Sequence, residues 1–391
     1  MYTRNRYLKF LIQNRDNERV KVLGGMRGSG KTQIFSDYRA YLVRQGVPAA
    51  RIFYADLSQP AYRSRSALDV FRQIYDTFPD GRRAYIFLDD ILRFDGYEIL
   101  ADRLFRIADF DLYLAADGAP RFPKKLETAL PGRCLFLPVF PLSYAETVKK
   151  PSLPSFLSYA EAATLPVAFG VQRETQQSLL DASAAAILYH EVLRDSRIKK
   201  STVEKILAVL SLKIGDTMTT EVLTKEIGRS GRAPHAETVR EHVKALEESG
   251  LLLLLPACDI GSDASQSEPA DSFRAFFSDS ALMRIFGEGS GLPHRQILSA
   301  IATELHRRAD CVFFAETETG AIDFITKKDG MEAMYQYIPR ADAPDVAAKM
   351  KALTDAPTRF KKIILTLTPD AMPAKENILT EFLPTWMGKE N

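Results

Sequence analysis

At 391 residues the chain exceeds one ordinary domain, and its length points to two or three compact units. With 46% hydrophobic and 26% charged residues it is too apolar for wholesale disorder, and 52 basic against 50 acidic residues (net charge +2) exclude a globally basic nucleic-acid coat, though not a local patch. Cys134, Cys258 and Cys311 lie far apart without CxxC spacing, which argues against a disulfide scaffold or cysteine zinc site and for a reducing compartment.

Membrane and export readings fail on segment length. The longest aliphatic run, Leu251 to Leu255, has five residues, whereas a spanning helix needs about 20. Arg4, Arg6 and Lys9 precede only the short apolar patch Phe10 to Ile12, too little for a signal-peptide core. The expectation is a cytoplasmic protein.

In chain order, Val20-Lys21-Val22-Leu23 reads as a strand ending in Gly24-Gly25, followed by a helix from Thr32 to Arg44. Strands at 51–55, 85–88, 112–114 and 134–137 alternate with helices at 66–78 and 97–108. Buried apolar strands separated by helices predict a parallel sheet covered on both faces, an α/β class. From 145 the strand signal stops. Residues 157–200 read as helical, and 201–255 as helix, helix, turn, helix and strand, the winged-helix order. Pro256 to Ser272, with Gly261, Ser262, Ser265, Ser267 and Pro269, reads as a linker. Mixed α and β return after it: a helix at 294–309, strands at 312–314, 321–325 and 334–338 with a hairpin at Lys327 to Gly330, a helix at 343–353 and a strand at 363–365.

One motif is specific. Gly25-Met26-Arg27-Gly28-Ser29-Gly30-Lys31-Thr32 fits G-x-x-x-x-G-K-[ST], with an apolar strand before it and a helix after it. Glycines let backbone N–H groups converge on a phosphate at the positive end of the helix. Lys31 reaches the β- and γ-phosphates of ATP in this reading, and the Thr32 hydroxyl holds Mg²⁺. The second half of such a site is Tyr85-Ile86-Phe87-Leu88-Asp89-Asp90, an apolar strand ending in two acids. Asp89 is expected on the metal side, and Asp90 as the group that orients or deprotonates the attacking water. Aspartate is one methylene shorter than the glutamate common at that place, so slow turnover is expected.

The order of Arg6-Tyr7-Leu8, the phosphate loop with Arg27, Leu88-Asp89-Asp90-Ile91, Leu130-Pro131-Gly132-Arg133 and Pro141-Leu142-Ser143-Tyr144-Ala145-Glu146 resembles the bacterial and archaeal AAA+-type ATPases that carry a C-terminal domain of unknown function, number 4143. The resemblance implies an AAA+ core at 1–145, a helical lid at 146–200, a winged helix at 201–256, a linker at 257–272 and a module at 273–391 similar to the PD-(D/E)xK nuclease fold. Two positions depart from that pattern. Gly28 stands where a second arginine is frequent, and Asp117 stands where a neutral polar group normally meets the γ-phosphate. Asp117 thereby puts ATP sensing and hydrolysis in question. Arg133 has two readings, a positive charge for the transition state in the manner of an arginine finger or a partner for a local acid.

In the tail, Asp323 matches the first acid of a nuclease site and Glu304 adds a helix carboxylate, but Gln336-Tyr337-Ile338 offers neither the second acid nor the lysine. A degenerate, structural module is expected. On the third winged-helix segment, Arg229, Arg232, His235, Arg240 and Lys244 are offset by Glu237, Glu241, Glu247 and Glu248. DNA binding rests mainly on counterion release, so DNA is weakly supported and an unknown protein partner stays open. The five histidines, 190, 235, 242, 294 and 306, show no metal-ligand spacing. The expectation is thus an ATP- and Mg²⁺-binding switch, or a nucleotide-gated binding protein with negligible turnover.

Overall fold

Apart from Lys21, the residues of the first strand are apolar or small, so each face of the sheet it joins needs a covering layer of helices. The computed structural model describes residues 4–118, 120–148, 155–229, 231, 233–261, 271–287, 293–371 and 375–389. The chain divides into two units, Met1–Pro141 and Leu142–Asn391.

The first unit runs α1 Asn5–Gln13, β1 Val20–Gly25, α2 Lys31–Arg44, β2 Ile52–Asp56, α3 Ala67–Thr77, β3 Ala84–Asp89, α4 Tyr97–Phe105, β4 Phe110–Asp117, α5 Lys124–Ala129 and β5 Cys134–Pro138. Its five strands are parallel in the order β2-β3-β4-β1-β5. Val22, Ile86, Leu88, Leu112 and Leu114 face α3, α4 and α5. Leu23, Tyr85, Phe87 and Tyr113 face α1 and α2. The α/β expectation therefore holds strand for strand. Helix α3 begins at Ser66, whose hydroxyl accepts the Asp69 N–H in a reciprocal capping box. Helix α1, read from sequence only as a short apolar patch, buries Tyr7 and Leu11 against that second layer.

At the N-terminal ends of the strands lies a buried polar group. Lys21 and Asp111 form an ion pair with both side chains fully buried, and burial, partly offset by Asp111, holds the lysine below its ordinary pKa. Asp111 also accepts from Tyr113 Oη at 2.6 Å and from the Asp16 backbone N–H at 3.0 Å. Tyr38 of α2 joins Tyr113 at 3.2 Å.

The second unit continues with α6 Tyr144–Thr147, α7 Phe156–Glu161, α8 Arg173–Ile187, α9 Lys200–Leu212, β6 Met218–Thr219, α10 Thr220–Gly228, α11 Ala236–Glu248, β7 Leu252–Pro256, β8 Ser272–Phe277, α12 Met283–Phe286 and α13 Pro293–Arg308. It ends with β9 Cys311–Thr317, β10 Gly320–Lys328, β11 Met331–Tyr337, α14 Val346–Asp355, β12 Lys361–Thr366, β13 Ile378–Phe382 and α15 Leu383–Gly388. The Ser143–Glu146 part of the Pro-Leu-Ser-Tyr block is a capping box at the start of α6.

Two boundaries differ from the sequence expectation. The presumed linker at 257–272 does not separate two domains, because β7 and β8 on either side of it pair antiparallel from Leu252↔Phe277 to Pro256↔Phe273. Residues 262–270, including Ser262, Ser265, Ser267 and Pro269, lie outside the described ones. A fully apolar run such as Leu251 to Leu255 needs a partner strand, and Phe273 to Phe277 supplies it. The presumed lid is also not separate: α7 packs on α13, and the π-helical turn Leu188–Val192 after α8 packs on α11.

β6, β8 and β7 form a three-stranded sheet, and β13-β12-β11-β10-β9 a five-stranded one. In the larger sheet β9, β10 and β11 are antiparallel while β11, β12 and β13 are parallel. Asp279, with no exposure to speak of, accepts from Thr164 N, Thr164 Oγ1 and Leu165 N at 2.7–2.9 Å and from Ala281 N at 2.8 Å. No helix among the described residues is long and apolar enough to cross a membrane.

Candidate functional site

A parallel sheet gathers the C-terminal ends of its strands at one edge, and that is where an open α/β sheet receives ligands. Here β1 delivers the phosphate loop, β3 delivers Asp89 and Asp90, and β4, which lies between them, delivers Asp117. Gly25 is required by close approach, since a side chain there would overlap the Val139 carbonyl. Gly28 and Gly30 take left-handed φ values of 83° and 96°. An arginine at position 28 would be strained in this loop conformation.

The predicted ligands converge. Thr32, in the first turn of α2, donates its hydroxyl to Asp89 Oδ2 at 2.7 Å. Tyr54 of β2 donates to the same oxygen at 3.1 Å, and Asp89 Oδ1 accepts the Asp90 N–H at 3.0 Å. Burial pushes the Asp89 carboxyl above its ordinary pKa. The Thr32 hydrogen bond and Lys31 pull it down, and the nearby Asp117 pushes it up. A hydroxyl and a carboxylate at this separation form a hard oxygen donor pair that fits Mg²⁺, which keeps most of its own water.

Lys31 is buried. Its ammonium donates to the carbonyls of Gly25 at 2.7 Å and Met26 at 3.0 Å, and pairs with Asp117 at 2.5 Å. Arg27 uses one guanidinium nitrogen for both Asp90, at 2.6 Å, and Asp117, at 2.9 Å. Asp90 has φ 50° and ψ 46°, the left-handed region. That region is open to aspartate and asparagine and closed to most longer side chains, which gives a conformational reason for aspartate in place of glutamate.

Arg133 is the exception. It precedes β5, whose register sets Cys134 beside Val20 and Pro138 beside Gly24. Strand β5 places it roughly 17 Å from the phosphate-loop edge, at about 3.4 Å per residue. Its guanidinium lies 5.3 Å from the Phe105 ring rather than on a local acid. Within one chain Arg133 thus lies away from the Lys31 and Asp89 site.

A residue that sequence reasoning missed is Arg4. Almost wholly buried, it donates to the Ser29 carbonyl inside the phosphate loop and to the Phe140 carbonyl at 2.7 Å, and its guanidinium lies 4.3 Å from the Tyr7 ring. No motif marks an arginine one residue ahead of a short helix. Arg4→Met keeps the stem but removes the guanidinium that meets two backbone carbonyls, and roughly 2–4 kcal/mol of stability should be lost. Urea unfolding of the two proteins measures it.

Asp323 on β10 accepts from Lys349 of α14 at 2.8 Å and from the Tyr337 N–H at 2.9 Å, with Arg274 3.8 Å away. Gln336 spans the Asp323 N–H and the Ala321 carbonyl, and Glu304 is held by Arg307 and Arg308. The lysine near Asp323 thus comes from a helix, and the two predicted acids are engaged by cations. Among the described residues no group of three or more His, Cys, Asp and Glu side chains is placed to hold a metal. On α11, Arg240 pairs with Glu237 at 2.6 Å and Lys244 with Glu248 at 3.9 Å, and Arg229 before it pairs with Glu226. Arg232 lies outside the described residues. His242 is a core residue whose Nε2 accepts the Lys199 N–H at 2.9 Å.

Comparison with known proteins agrees with the first unit. Residues 17–148 match the family described as "AAA domain". This stretch of the parallel-sheet core is thus similar to an AAA domain. Over nearly its full length the chain is also similar to an uncharacterised protein of Haemophilus influenzae, at 23% identity across 94% of this chain and 93% of that one. Among solved structures, the Walker-type ATPase of Pyrococcus abyssi aligns at 13% identity and TM-score 0.47, over 73% of this chain and 96% of that one. AMPPCP-bound DnaA from Aquifex aeolicus aligns at 14% identity and TM-score 0.31, over 62% of this chain and 86% of that one.

Proposed function

We propose that the protein is an ATP-dependent switch: the AAA-type core binds and slowly hydrolyses ATP, and its nucleotide state is passed to the second unit. The carrying observation is the convergence of Lys31, the Thr32–Asp89 pair and Asp90 at the ends of β1 and β3. In this reading the backbone N–H groups from Arg27 to Thr32 cradle the phosphates, with Gly28, Ser29 and Gly30 shaping the loop, and Lys31 leaves the Gly25 and Met26 carbonyls to meet the β- and γ-phosphates. Thr32 and Asp89 would hold Mg²⁺, which supplies charge neutralisation at the phosphates. Asp90 orients the attacking water and accepts its proton.

The order α9, α10, α11, β7, β8 supports a winged helix in the second unit, and α13, β9, β10, β11, α14, β12 supports a degenerate nuclease-like module. The intrahelical pairing of Arg240 and Lys244 favours a protein partner over DNA for that winged helix. The engagement of Lys31 and Arg27 by Asp117 also favours a second reading, nucleotide-gated binding with negligible turnover.

Melting curves with and without Mg·ATP, together with phosphate release, test both. At ATP near 100 times its Kd the protein should gain about 2.7 kcal/mol, and Lys31→Ala should lose that gain. Absence of an ATP-dependent shift, or a shift that Lys31→Ala leaves unchanged, refutes the proposal. A clear shift with phosphate release no faster than that of an Asp90→Asn control selects the second reading.

A further inference from the structure

Asp117 is the last residue of β4 and lies beside Gly25 in the parallel register with β1. Its carboxylate spans two cations of the phosphate loop, Lys31 at 2.5 Å through Oδ1 and Arg27 at 2.9 Å through Oδ2. Lys31 is 3% exposed and Asp117 9%. The three donors of the ammonium are met by Asp117 and the carbonyls of Gly25 and Met26. The charges that a phosphate loop directs at a polyphosphate are thus neutralised by an anion of the protein itself.

We infer that Asp117 is an internal counter-anion that competes with polyphosphate for Lys31 and Arg27, and thereby sets the affinity and the metal dependence of nucleotide binding. The inference rests on the nucleotide-binding reading above and deepens it. Loading the site exchanges one anion for another. Once phosphates take Lys31 and Arg27, the carboxylate of Asp117 loses both partners. It then stands with Asp89 and Asp90, 5% and 6% exposed, next to a polyphosphate in a poorly hydrated pocket. Buried like charges repel strongly, and a buried charge deprived of its partner is costly. A divalent cation arriving with the nucleotide offsets that cost. Nucleotide without a metal does not, so its binding is suppressed here more than it is beside a neutral residue.

The test is Asp117→Asn, which keeps the shape and removes the charge, with a fluorescent ATP analogue titrated in Mg²⁺ and in EDTA. In EDTA the variant should bind at least tenfold more tightly than wild type, and Mg²⁺ should improve its affinity less. Without nucleotide the variant should melt below wild type, because buried Lys31 has lost its paired carboxylate and Arg27 one of its two. A structural role alone predicts the lower melting point without the gain in affinity, and that combination overturns the inference, as does an EDTA affinity equal to wild type. Asp117→Ser repeats the comparison if the asparagine variant does not fold. Lys31→Ala separates the two levels. If wild type binds and Lys31→Ala does not, an unchanged Asp117→Asn defeats the counter-anion alone; if wild type and Asp117→Asn both fail to bind, the nucleotide reading falls and the inference with it.

Discussion

Asparagine at position 90 is expected to slow phosphate release by roughly 10²–10⁴-fold, the range lost when a general base is removed, while ATP still raises the melting temperature. The structure makes this substitution unusually clean. Asp90 sits at φ 50°, and asparagine tolerates the left-handed region about as well as aspartate does, so the backbone after β3 keeps its path. The amide oxygen can still accept from Arg27, now 2.6 Å away, which preserves the loop while removing the basic carboxylate. Asp90→Glu is the informative companion. A longer acid nearer the water would raise turnover if reach were limiting, but a bulkier side chain at positive φ strains the turn. A release rate for Asp90→Asn equal to wild type would remove Asp90 from the chemistry.

Lys21→Met should cost about 3–5 kcal/mol of unfolding free energy, the loss typical when one partner of a buried ion pair is deleted. Asp111 would be left fully buried, with Tyr113, the Asp16 N–H and the more distant Arg83 guanidinium, 3.9 Å away, as partners. Adding Asp111→Asn should recover most of the loss, because the amide oxygen still accepts from those donors and no charge remains. Denaturant midpoints of the single and double variants measure the coupling. Additive effects would show that the pair does not act as a unit.

Much of the first unit was legible because its signals are local. An apolar strand, a glycine-rich turn and a helix are contiguous, and the acidic pair ends a strand of the same kind. The resemblance supplied the AAA-type core that the comparison over residues 17–148 supports. What escaped depends on contacts distant in sequence. Arg4 touches Phe140, 136 residues away, and nothing near Arg4 announces it. Strand β8 pairs across the boundary that the sequence suggests; a Ser- and Gly-rich segment precedes it, and composition does not distinguish a hairpin loop from a domain linker. Strand β13 has the mixed sequence Ile378-Leu379-Thr380-Glu381-Phe382 and lies at a sheet edge, where half-exposed strands lose their apolar signature. Asp117 stands out in the sequence as an acid out of place, but its pairing with Lys31 needs the parallel register of β1 and β4.

That same register gives β4 two unlike ends. At its start Asp111 grips Lys21 in a buried pair, sealed off from any ligand. At its finish, six residues on, Asp117 holds Lys31 and Arg27, contacts that a bound phosphate would replace in the reading proposed above. The strand is anchored like a hinge plate at one edge and latched at the other. Opening the latch leaves the anchor untouched, so the core can change its occupancy without loosening its sheet.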